Sequence, residues 1–164
     1  MKKRIMLGAL IMAVAFTLTG CGRKAPDNWH EEIVNYYKDG VADNWTHVDS
    51  SFNIPDDYKK EKMGYLLKDL DGDGTNELLI GIVDDSSETK FTDVFIYHKD
   101  FGPTRSFSTG DGYYMYLCDS NIIREDYWYG SETKTQYMKY DPESNGFPVI
   151  DSGSLPRKHE LTPF

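Results

Sequence analysis

Four carboxylates stand at alternating places in one short stretch, Asp69-Leu70-Asp71-Gly72-Asp73-Gly74-Thr75-Asn76-Glu77. Counted from Asp69, acids fill the first, third, fifth and ninth places and a glycine fills the sixth. Oxygen donors at this spacing suit a hard divalent cation such as calcium, which takes about six to eight of them. A loop gathers oxygens at one point only if alternate side chains turn inward and the backbone bends sharply midway. Gly74 supplies that bend, because glycine enters positive φ without steric cost. Asp69, Asp71 and Asp73 would then offer carboxylate oxygens, Thr75 its main-chain carbonyl, and Glu77 a carboxylate or a water held by one. The same acids repel one another when no ion is present, so a bound ion would order the loop as well as fill it.

The flanks must position the loop. Met63 to Lys68 and Leu78 to Val83 are short apolar runs of strand length, not helix length. The first six places satisfy the EF-hand pattern, but the twelfth is Ile80 where that pattern needs Glu, and no helical run flanks the loop. The stretch resembles the calcium hairpin of integrin-type FG-GAP and VCBS repeats, in which D-x-D-x-D-G-x-x-[DE] joins two strands and precedes an apolar run such as Leu78-Leu79-Ile80-Gly81. The resemblance implies one calcium ion held by Asp69, Asp71, Asp73, Thr75 and Glu77. It covers a single copy, and a chain of 164 residues is too short for a complete propeller of such repeats.

The beginning of the chain reads as an address. Lys2, Lys3 and Arg4 precede an apolar run from Ile5 to Phe16 that is too short for a membrane span. Leu18-Thr19-Gly20-Cys21 then resembles the lipobox of bacterial lipoproteins. That resemblance implies cleavage before Cys21 and lipidation of its thiol, which would anchor the chain at the extracytoplasmic face of a bacterial cell membrane. Residues 1–20 are thus expected to be a signal peptide and residues 21–27 a tether.

Removing residues 1–20 leaves 15 basic against 27 acidic residues, a net charge near −12. Such a body is repelled by nucleic acid, so no nucleic-acid partner is expected. Cys118 is the sole other cysteine. With Cys21 acylated no internal disulfide can form, and Cys118, in an apolar run, reads as a buried, inert thiol.

Catalytic signatures are missing. The chain contains no G-x-S-x-G elbow, no H-E-x-x-H, no phosphate loop and no dinucleotide fingerprint. His30, His47, His98 and His159 share no ligand spacing. Acid pairs such as Glu125 with Asp126 exist, but neighbours on a strand point to opposite faces. Aromatic residues crowd the last third, and Tyr114, Tyr116, Tyr127, Trp128 and Tyr129 form a candidate binding surface for a glycan or protein outside the cell. The competing reading is that these rings simply pair across strands.

The remaining pattern predicts the frame. A helix is expected over Trp29 to Lys38, capped by Asn28 and stopped by Gly40. Residues 41–62 read as irregular. From Met63 strands recur about every ten residues with turns between them, the mark of a β-meander. The expected fold is mainly β: one N-terminal helix packed on a bent antiparallel meander or partial barrel of about seven or eight strands. Residues 28–150 would make a single domain, and residues 151–164 a frayed C-terminal tail. The function these observations imply is a lipid-anchored, calcium-stabilised binding module. The alternative is a cell-wall or glycan-acting hydrolase or its accessory domain.

Overall fold

The computed structural model describes residues 25–46, 62–109 and 113–164. The expected signal peptide and Cys21 lie outside the described residues, as do residues 47–61, which include His47, and the Gly110-Asp111-Gly112 turn. Among the described residues no helix is long and apolar enough to cross a membrane.

The fold is mainly β. Among the described residues one helix, α1 (Glu31–Asp43), precedes nine strands: β1 (Met63–Lys68), β2 (Glu77–Ile82), β3 (Lys90–His98), β4 (Gly102–Ser108), β5 (Tyr113–Leu117), β6 (Ile122–Tyr129), β7 (Glu132–Lys139), β8 (Val149–Ile150) and β9 (Thr162–Pro163). They form one antiparallel sheet in the order β8-β7-β6-β5-β3-β2-β1-β9, with β4 also paired to β3. Here the meander forks. β4 lies along the second half of β3, from Asp93 to His98, and β5 pairs with its first residues, Lys90 and Phe91. The sheet bends but does not close, since β8 and β9 at its two ends do not pair. Phe107 of β4 and Phe147 before β8 meet with ring centroids 6.0 Å apart, which shows how far the two arms curve toward one another.

Two apolar clusters sandwich the central strands. Val34, Tyr37 and Trp45 from α1 and its exit cover Met63, Leu78 and Ile80. The opposite face packs Leu70, Leu79, Phe91, Val94, Ile96, Met115, Leu117, Ile123, Met138 and Tyr140. Strand β2 alternates between the clusters and is buried along all six of its residues. A strand covered on both faces reads as an unbroken apolar run, which Leu78 to Ile82 is. Beneath α1 the Tyr37 hydroxyl donates to the buried Asp93 carboxylate at 2.8 Å, so the helix is tied to the sheet by a polar bond as well as by packing.

The helix runs later than its sequence predicts. Asn28 does not cap it; its side-chain amide reaches the Glu31 carboxylate at 3.4 Å, and the residue before the helix is His30. Gly40 does not stop it either. Trp45 folds back on Gly40, where an added Cβ would lie 2.5 Å from the indole ring, and the Trp45 N–H closes on the Gly40 carbonyl at 2.7 Å. Asn44 makes the left-handed exit with φ 56°. Gly40 therefore provides a seat for a ring one turn below.

The C-terminal segment is not frayed. Residues 151–164 cross the sheet as a strap. Pro156 bridges to Cys118, the Arg157 N–H donates to the Leu117 carbonyl at 3.2 Å, and the Arg157 carbonyl accepts from Thr89 at 3.3 Å. His159 packs on Phe91, Leu161 lies against Gly64 and Gly81, and β9 adds to the free edge of β1. A Cβ on Gly64 would meet the Thr162 carbonyl at 2.7 Å, and the two strand glycines thus mark where another backbone approaches. Phe164 completes the helix-side cluster between Tyr37 and Tyr65.

Candidate metal centre

Strands β1 and β2 pair from Met63↔Ile82 to Lys68↔Glu77, so the acidic stretch is the connection of a hairpin with Glu77 as the first residue of the returning strand. Gly72 and Gly74 take φ of 84° and 85°, the region only glycine enters freely. Between them the chain folds onto its own carboxylates. Asp69 accepts from the Gly72 N–H at 2.7 Å and the Gly74 N–H at 3.0 Å. Asp71 accepts from the Asp73 N–H at 3.0 Å, and Asp73 from the Thr75 N–H at 2.6 Å. Glu77 reaches back and accepts from the Leu70 N–H at 2.6 Å.

Three of the acids converge. Asp69, Asp71 and Glu77 each place a carboxylate oxygen within 4.8 Å of the other two, a group that could hold a metal ion. Asp73 stands outside this trio, with one oxygen engaged by the Thr75 N–H. Thr75 is half-buried beside it. Of the five predicted ligands, the structure thus gathers three side chains around one point.

Two residues without acidic character fix the loop in place. The Leu70 side chain turns out of the loop into the core and is 2% exposed. Asn121, distant in sequence, donates its side-chain amide to the carbonyls of Asp69 at 2.8 Å and Leu70 at 3.1 Å. It can do so because Ser120 and Asn121 both adopt left-handed backbone, with φ of 58° and 57°, in the 3-10 turn Asp119–Asn121 between β5 and β6. An apolar residue inside an acidic loop is a local signal that Leu70 is an anchor. No local signal identifies Asn121, since the contact depends on how β5 and β6 are placed against the hairpin.

Electrostatics make Glu77 and Asp71 unfavourable as bare anions. Burial, against the pull of the Leu70 N–H and with the fields of Asp71, Asp73 and Asp69 added, pushes the Glu77 carboxyl up to about 7. Burial and the neighbouring Asp73 and Asp69 also raise Asp71, although the Asp73 N–H opposes them. Tyr140, 6% exposed in the adjoining core, has its hydroxyl raised first by burial and then by Asp71, Glu77 and Asp73. A divalent cation would oppose these shifts at the carboxyls it touches, because it favours their ionised form.

The five aromatic residues of the candidate surface do not form one surface. Register pairs Tyr113 with Tyr127 and Met115 with Glu125, but Tyr114 with Asp126 and Tyr116 with Arg124. Tyr127 and Tyr129 therefore share one face, and Tyr114, Tyr116 and Trp128 the other. Tyr116 is 8% exposed beneath the Arg124 guanidinium, which lies 4.5 Å from its ring centre. It packs as a buried cross-strand partner of Arg124. Tyr114 is half-buried under the Lys90 ammonium, and Tyr127 is half-buried against Tyr113, with ring centroids 6.0 Å apart. Trp128 at 57% and Tyr129 at 68% exposure are the two that face solvent.

Glu125 and Asp126 also diverge. Glu125 is buried and bonded to Gln136, whereas Asp126 accepts from Thr135 at 2.7 Å and pairs with Arg124 at 2.6 Å. Cys118 is buried, and burial pushes its thiol up, which suits an inert side chain. No family model, curated protein or solved structure matches the chain.

Proposed function

We propose that this chain is an extracytoplasmic bacterial lipoprotein, anchored through Cys21, whose β-domain binds one calcium ion in the β1–β2 hairpin and serves as a binding module. The observation that carries the metal reading is the convergence of Asp69, Asp71 and Glu77 within 4.8 Å on a loop tied to the core at Leu70 and Asn121. All-oxygen donors with no histidine or cysteine in the group favour a hard cation over zinc. Calcium is preferred to magnesium because a loop of mixed carboxylate and carbonyl donors accommodates irregular, higher coordination, whereas magnesium demands a compact octahedron. Asp73 and the Thr75 carbonyl would complete the shell. The lipid anchor rests on Leu18-Thr19-Gly20-Cys21 and the basic, apolar run before it.

An affinity of about 10⁻⁴ to 10⁻³ M would suit an extracellular module. Calcium at a hundred times its dissociation constant would stabilise the fold by about 2.7 kcal/mol. For a domain of this size that corresponds to a rise in Tm on the order of 5–10 °C. Differential scanning calorimetry with calcium, with magnesium and with chelator tests this. Asp71→Ala should abolish most of the calcium effect, and an unchanged Tm in wild-type protein would sink the metal reading. Cys21→Ser should release the protein from the membrane fraction; continued membrane retention would refute the anchor.

Trp128 and Tyr129, exposed at the end of the β6–β7 hairpin, support an interaction surface for a glycan or protein partner at that end. Microcalorimetry with soluble glycan fragments, comparing wild type with the Trp128→Ala variant, separates a glycan from a protein partner.

A further inference from the structure

The three-residue turn that holds the acidic hairpin also holds the C-terminal strap. On one side Asn121 grips the carbonyls of Asp69 and Leu70. On the other, the Asp119 N–H donates to the Ser154 hydroxyl at 3.1 Å, and the Asp119 carboxylate pairs with the Arg157 guanidinium, with one contact at 2.7 Å. Arg157 in turn threads its backbone between Leu117 and Thr89. Asp119 and Asn121 flank Ser120, and both Ser120 and Asn121 sit in left-handed backbone, which costs the serine more than the asparagine. The turn closes on itself, the Cys118 N–H donating to the Ile122 carbonyl at 2.7 Å, and the loop and the strap then grip it from its two sides. Relaxing the turn would loosen both grips.

We infer that the Asp119–Asn121 turn is a mechanical clasp through which order in the acidic hairpin is transmitted to the C-terminal strap. The clasp acts on the first ligand position itself, since Asn121 bonds the Asp69 carbonyl. Its other end reaches the strap at Ser154 and Arg157, before the strap continues to His159, Leu161 and the β1 edge. Applied to calcium, this inference rests on the metal reading above: filling the loop would dock the strap more firmly, and a strap held in place would strengthen calcium binding by the same factor, as linkage requires.

Hydrogen exchange on the full chain, read by mass spectrometry over residues 151–161, tests the clasp, with calcium binding measured in parallel by calorimetry. Strand β4 serves as the internal reference, because Gly102–Ser108 pairs with β3 and takes part in none of the bonds described for the turn. Saturating calcium should slow exchange in the strap by about five-fold or more beyond any change in β4. Asn121→Ala at saturating calcium should remove that excess. Arg157→Ala, a substitution at a side chain 63% exposed and thus safe for folding, should remove it as well. If wild-type protein binds calcium and the strap slows no more than β4, the clasp is wrong and the metal reading stands. If no calcium binds and the strap does not respond, both fail. If the strap still responds fully in Asn121→Ala and Arg157→Ala, coupling does not pass through this turn and the inference is overturned.

Discussion

Two hairpins of this sheet invite comparison. The β1–β2 hairpin and the β6–β7 hairpin are each a pair of adjacent antiparallel strands, the first of six residues and the second of eight. Their ends have opposite fates. The β1–β2 connection is charged yet pinned: Leu70 is sunk in the core, Asn121 grips its backbone, and Glu77 is 2% exposed. The β6–β7 end is aromatic yet free: Trp128 and Tyr129 are exposed, and residues Glu132 to Thr135 stand in solvent. Polarity alone would assign the two ends the other way round. The acidic loop is fixed by an apolar side chain and an amide from another hairpin, whereas the rings of the β6–β7 end meet no such anchor from the rest of the sheet.

The sharpest way to break this contrast is to cut the inward anchor. Leu70→Ala removes a fully buried side chain and should destabilise the fold by about 2–5 kcal/mol. It leaves all four carboxylates in place, yet the loop loses its tether, so calcium binding should weaken too. Urea unfolding and calorimetric titration read the two effects. A variant that lost neither stability nor affinity would mean the core does not position the loop.

Much of this contrast was legible beforehand. The acidic spacing and its strand-length flanks located the β1–β2 hairpin to within a residue. These elements announce themselves through short-range pattern: turn glycines, alternation, and unbroken apolar runs. What the pattern did not carry is long-range. The helix end depends on Trp45 folding onto Gly40, and the strap depends on glycines at 64 and 81 that accept a backbone from the far end of the chain. Residues 151–164 contain few apolar positions, and their docking relies on backbone bonds and on His159, Leu161 and Phe164 singly. Within the site, the residue types identified Asp69, Asp71 and Glu77, whereas Asn121 enters from another hairpin. Among the rings, composition could not distinguish Tyr116, buried under Arg124, from Trp128, because the face each occupies is set by register.

A smaller effect sharpens the comparison through pH. Glu77 is an ordinary carboxyl near 4.5 when unfolded and is raised to about 7 in the metal-free fold. A raised carboxyl favours folding fully below about 4.5, and that contribution is lost as pH rises through 7. Metal-free protein should therefore lose Tm between pH 5 and pH 8, on the order of a few degrees, and Glu77→Gln should flatten that slope. Calcium needs the ionised carboxylate, so the gap between the calcium and chelator melting curves should widen over the same interval. A gap that narrowed with rising pH would place Glu77 outside the coordination shell.

The smallest effect belongs to the outward end. Trp128→Ala and Tyr129→Ala remove rings that are mostly in water; the first should change stability by less than about 0.5 kcal/mol and the second by less than about 1 kcal/mol. Tyr129 carries the Lys134 ammonium 4.6 Å above its ring, an exposed contact worth about 0.5–1 kcal/mol at most, so it should cost slightly more than Trp128. The two variants also separate the faces of the hairpin, because the side chains alternate. A partner that grips one face would lose affinity with only one of them, and a partner that clasps the hairpin end would lose it with both. A large loss of stability in either would instead show that the rings serve the fold, and the contrast between a pinned end and a free end would fail.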